Sequence, residues 1–130
     1  MMTFAEVTEA NAQRCARWHG GFPLNEDGWT GADWSNAMQG EAGEAGNVVK
    51  KLRRLECSLV GNRGADREPA VLLAQLGEEL ADTFIYLDLL ATYYGVDLQA
   101  AIVAKFNAVS EREGFPERIG PPHTTFEPRP

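Results

Sequence analysis

An all-α fold of four helices is what the sequence predicts, on three observations. Apolar residues recur at three- and four-residue steps through four segments. Glycine, proline or a capping residue bounds each segment. No stretch alternates apolar and polar with the period of two that a half-buried strand requires. The 130 residues suit one domain with one core, and 44% hydrophobic against 24% charged residues is the balance of a globular chain. We therefore expect residues 1–114 to form a single all-α domain, a four-helix bundle, and residues 115–130 a proline-rich tail that is extended or disordered.

Thr3 with Glu6 has the form of a capping box, and the first helix runs from there to about Trp18, where His19-Gly20-Gly21-Phe22-Pro23 ends it. Thr30 or Asp33 caps the second, which reaches about Leu59. Its stripe reads Met38, Ala42, Ala45, Val49, Leu52 and Leu55. Gly40, Gly43 and Gly46 stand inside it, each costing the helix about 1 kcal/mol relative to alanine, and close approach of another backbone or of a ligand would explain them. The basic end Lys50-Lys51-Leu52-Arg53-Arg54 either complements the helix dipole or contacts phosphate. Residues 60–69 read as a polar loop. A third helix spans about Ala70 to Tyr94, with Leu73, Leu76, Leu80, Phe84, Leu87 and Ala91 inward and Glu79, Asp82 and Tyr86 on a different face. Asp97 caps the fourth, which Gly114-Phe115-Pro116 closes.

A net charge of −7 leaves no basic stripe to grip a nucleic-acid backbone, so no nucleic-acid partner is expected. A small polyanion remains open if metal ions bring positive charge. Cys15 and Cys57 lack any metal-ligand spacing and read as two free thiols, Cys15 as packing. The N-terminal residues do not form a signal peptide, and the apolar run from Phe84 to Tyr94, broken by Asp88, is too short to span a bilayer. A cytoplasmic protein with no membrane partner is the expectation, with Asp88 a solvated acid.

Function concentrates in two acidic pairs. Glu41 and Glu44 are three residues apart, as are Glu79 and Asp82, and residues so spaced share a helix face. The four acids sit among small and apolar residues. Carboxylates gathered from two helices need a cation to offset their repulsion, and an all-oxygen ligand set favours Mg²⁺, with Mn²⁺ able to substitute. A carboxylate-bridged iron site also uses histidines at Glu-x-x-His spacing. His19 and His123, the only two histidines, lie outside the expected long helices, which disfavours iron chemistry. Phosphoryl transfer on Mg²⁺ fits better.

Glu41-x-x-Glu44 followed by Glu79-x-x-Asp82, with the glycine- and alanine-rich setting of the first pair and the Ala81-Asp82-x-x-x-Tyr86-Leu87 continuation of the second, resembles the motif pair of the MazG-like all-α nucleoside triphosphate pyrophosphohydrolases, kin to dimeric dUTPases and dCTP pyrophosphatases. The similarity covers about Trp34 to Arg112, and the 34 residues between the motifs are somewhat more than the family usually has, with 60–69 as the insertion. The resemblance implies hydrolysis of a (deoxy)nucleoside triphosphate between the α- and β-phosphates, dGTP being one candidate, for sanitation or shaping of the nucleotide pool. It implies two or three Mg²⁺ held by Glu41, Glu44, Glu79 and Asp82, and a homodimer or homotetramer. Lys105, Asn107 and Arg112 resemble positions used around the phosphates or sugar, with Lys50 and Lys51 weaker candidates. Because Gly40 precedes the first motif where some relatives carry an acid, either Glu78 or a metal-held hydroxide takes the role of base. Trp34 and Asn36 lie just before the motif, where an indole could stack on a base or simply pack. Tyr86 lines the pocket or packs. The alternative function is a non-catalytic helical interaction module with an acidic groove.

Overall fold

Every apolar stripe read from the sequence becomes a helix in the computed structural model, which describes residues 1–121 and 125–127. Four α-helices, α1 (Phe4–His19), α2 (Gly31–Glu56), α3 (Pro69–Tyr93) and α4 (Leu98–Glu113), are joined by loops, and no strand occurs among the described residues. The chain is all-α. It divides into two compact units, one formed by Met1–Trp29 with Asp88–Pro130, the other by Thr30–Leu87. No helix among the described residues is long and apolar enough to cross a membrane.

The helix ends follow the chemistry expected of them. Thr3 caps α1, its hydroxyl accepting from the Glu6 amide at 3.2 Å while the Glu6 carboxylate accepts from the Thr3 amide at 2.7 Å. Gly20, at φ +69°, ends that helix in the left-handed conformation that favours glycine, and a side chain there would also strike Glu26. Thr30 rather than Asp33 is the cap of α2, with Asp33 as the reciprocal member: its carboxylate accepts from the Thr30 amide and hydroxyl, both at 2.7 Å. Those bonds hold the Asp33 carboxyl below its ordinary range. Pro69 opens α3, a position where its missing N–H costs nothing. The Asp97 carboxylate accepts from the Ala100 amide at 2.9 Å to start α4.

Three expectations need correction here. First, α2 stops at Glu56, three residues short of Leu59, because the chain turns at Ser58 with φ +53°. Second, the loop before α3 contains a short 3₁₀ turn, Gly64–Arg67. It is fixed to α2 by the Lys51–Asp66 ion pair at 2.9 Å and by Asn62, whose Nδ2 donates to the carbonyls of Lys51 and Asp66. Third, the first part of the tail is tied down: Asn107 donates to the Ile119 carbonyl at 3.0 Å and accepts from the Ile119 amide at 2.9 Å. His123 lies outside the described residues.

In the first unit the interior includes Cys15, Leu89, Ala91 and Val103, and Cys15 packs as expected. Asp88 is not solvated. It is 1% exposed, and its carboxylate accepts from the Thr8 hydroxyl at 2.6 Å and from the Asn11 amide at 2.9 Å. Donors spaced three apart on α1 meet both of its oxygens, which is what makes the burial tolerable.

Candidate metal centre

In the second unit the buried residues of α2 are Gly31, Trp34, Ala45 and Val48, with Met38, Leu52 and Leu55 half-buried. The inward series therefore runs 34, 38, 45, 48, 52 and 55, and not through Ala42 and Val49, which are exposed. One place in that run of alternating four- and three-residue steps is position 41. Glu41 occupies it. The acid stands where an apolar residue would continue the seam, and it is half-buried in consequence.

The same holds on α3. Leu72 is fully buried, while Leu73 and Leu80, expected inward, are 58% and 55% exposed. The inward series is Leu72, Leu76, Glu79, Thr83 and Tyr86, so Glu79 lies on the packed face rather than apart from it. The Thr83 hydroxyl donates back to the Glu79 carbonyl at 2.7 Å, occupying a backbone acceptor in that turn. Both seams bring an acid toward the same place from opposite sides.

Glu41 from α2 and Glu79 and Asp82 from α3 each present a carboxylate oxygen, and the three oxygens lie within 4.8 Å of one another. Partial burial pushes the Glu41 carboxyl up from its ordinary value, and the charges of Asp82, Glu44 and Glu79 push it further. Such a set fits a divalent cation: three oxygen donors of one charge, with Glu41 reluctant to ionise beside the other two. The fourth predicted ligand, Glu44, is exposed one turn further along α2 and is not among those three, although its charge reaches Glu41.

The other candidate residues are distributed as follows. Trp34 is completely buried, with its ring centroid 6.4 Å from that of half-buried Tyr86 at an interplanar angle of 35°. The indole is a packing residue of this unit and has no face to offer a base, which corrects the stacking alternative. Asn36, Lys50 and Glu78 are exposed. Lys105, Asn107 and Arg112 belong to α4 in the other unit. Lys105 is exposed, Arg112 pairs with Glu113 at 2.7 Å, and Asn107 spends both ends of its amide on Ile119. Outside that set, His19, the last residue of α1, and Trp29, in the loop before α2, lie ring to ring at 4.9 Å, and His19 Nδ1 is 2.7 Å from the Asp27 carboxylate.

Comparison of the chain with family models, with curated proteins and with solved structures finds no match.

Proposed function

We propose that this protein is a Mg²⁺-dependent nucleoside triphosphate pyrophosphohydrolase, cleaving a (deoxy)nucleoside triphosphate with water into the monophosphate and pyrophosphate. The observation that carries the reading is the convergence of Glu41, Glu79 and Asp82, from two helices and within 4.8 Å, at the acids whose order and spacing resemble the MazG-like motif pair.

Glu41, Glu79 and Asp82 would hold the metal, with Glu44 the next acid along α2 to join as further ions bind. When bound, Mg²⁺ supplies neutralisation of the phosphate charge and activation of the attacking water. Exposed Glu78 would be the base for the attacking water, unless the metal supplies hydroxide itself. The enzyme works in the cytoplasm as a homodimer or homotetramer. Two features support assembly. Val49, Leu73 and Leu80 are large apolar residues left exposed. In addition, Gly40, Gly43 and Gly46 have nothing within 4 Å of where a Cβ would stand, so no contact among the described residues accounts for them.

Incubation with each dNTP and Mg²⁺ should release pyrophosphate rather than orthophosphate, and Glu44→Ala and Asp82→Ala should each abolish it. Release of orthophosphate alone, or full activity in both variants, would refute the assignment.

A further inference from the structure

We propose that the segment joining α2 to α3 forms a second ligand pocket, separate from the metal centre, which takes a small phosphorylated molecule. Six of the chain's twelve lysines and arginines fall between positions 50 and 67, against two acids there, in a chain whose net charge is −7. Phosphate is repelled by this protein as a whole and attracted to one place on it. That place is concave: a cavity of about 380 Å³ is bounded by Arg54, Leu55, Leu59, Val60, Asn62 and Arg67.

The pocket is held in shape by bonds that leave its charges unspent. Lys51 is neutralised by Asp66 at 2.9 Å, and that pair, with the two Asn62 bonds, fastens the 3₁₀ turn to α2. Arg67 gives only its Nε, to the Asn62 carbonyl at 3.2 Å, so its terminal nitrogens remain available. Arg54 has neither a carboxylate nor another acceptor within bonding distance among the described residues. Its guanidinium lies over Gly61, whose φ is +126°; a Cβ there would stand 3.3 Å from the Arg54 Cζ. Glycine thus admits both the backbone turn and the cation above it. Asn62 Oδ1, buried and without a donor, adds an unused acceptor in the same wall. Two guanidinium forks suit phosphate oxygens bidentately, and Leu55, Leu59 and Val60 supply an apolar wall for the rest of the molecule. A nucleoside phosphate has that pairing of parts.

This pocket is not the far end of the metal centre. Arg54 follows Glu41 by thirteen positions on one helix, a rise of about 20 Å. The inference therefore stands independently of the proposed activity, and it is tested with the metal centre disabled. The full chain is titrated in excess chelator with inorganic pyrophosphate and, separately, with dGTP, following the amide resonances by NMR. The expected result is saturable shifts of the Gly61 amide and the Asn62 side-chain amide. Arg54→Gln and Arg67→Gln should each weaken binding by about tenfold or more, and Glu79→Gln should leave it unchanged. The Asn62 amide signals report that the turn is still docked in each variant, and Arg54→Lys, which keeps the charge but loses the fork, should bind between wild type and Arg54→Gln. Binding of dGTP should be tighter than that of pyrophosphate. Absence of saturable shifts over residues 60–67, or wild-type affinity in both Arg54→Gln and Arg67→Gln, overturns the site. Equal affinity for dGTP and pyrophosphate overturns the apolar half of it.

Discussion

Glu41 on α2 and Glu79 on α3 each stand in the inward series of their helix and present carboxylate oxygens within 4.8 Å of each other. The pair can share a proton or share a cation, and the choice is set by pH and by metal supply.

The first prediction follows from its sign. Glu41's carboxyl is raised above its ordinary value in the folded chain, so the fold binds that proton more tightly than the unfolded chain does. Its contribution to stability is present at low pH and is lost as pH rises through the raised value. Without metal, Glu41→Gln should therefore raise the melting temperature at neutral pH by about 2 °C, the scale of one relieved like-charge contact. In the wild type, Mg²⁺ at ten times its Kd should add about 5 °C at neutral pH. That gain should fade as pH falls through Glu41's raised value, and differential scanning calorimetry across pH checks both signs.

Asp88 offers a test in the other unit. Its replacement by alanine removes the acceptor of the Thr8 hydroxyl and the Asn11 amide, and we expect a loss of about 2–4 kcal/mol in urea unfolding. Thr8→Val should cost about 1 kcal/mol, and the double variant less than the sum, because the two share one bond.

The two thiols should separate cleanly. Cys15 is buried, and desolvation pushes its pKa up to about 11 against a smaller downward pull from Arg14, whereas Cys57 is exposed at the end of α2. A maleimide at pH 7.5 should modify one thiol per chain in the native state and two in denaturant, with mass spectrometry locating the first at Cys57.

Much of this was legible in the sequence, and the misses share a cause. Caps are local chemistry, so Thr3 with Glu6, Asp97 and Gly114 could be read directly. Helix register is less local. On α2, Ala42 and Val49 sit one position from the seam residues Glu41 and Val48, and on α3 Leu73 and Leu80 sit beside Leu72 and Glu79. Choosing the most apolar residue at each step passes over a seam that contains an acid. Counting Glu41 and Glu79 as candidate interior residues would have restored the register. Asp88 was missed for a different reason: its partners Thr8 and Asn11 lie 80 and 77 positions away, beyond any periodicity. The docked Arg54–Arg67 pocket depends likewise on bonds between the turn and α2 that spacing alone does not specify.

Gly40, Gly43 and Gly46 make the stretch of α2 around Glu41 bare of side chains on three of seven consecutive positions, with room for a methyl group at each. Alanine there should strengthen the isolated protomer by about 1 kcal/mol per site. A triple variant that melts higher yet no longer associates in sedimentation would mean that this helix is kept smooth for a neighbour, at the expense of its own rigidity.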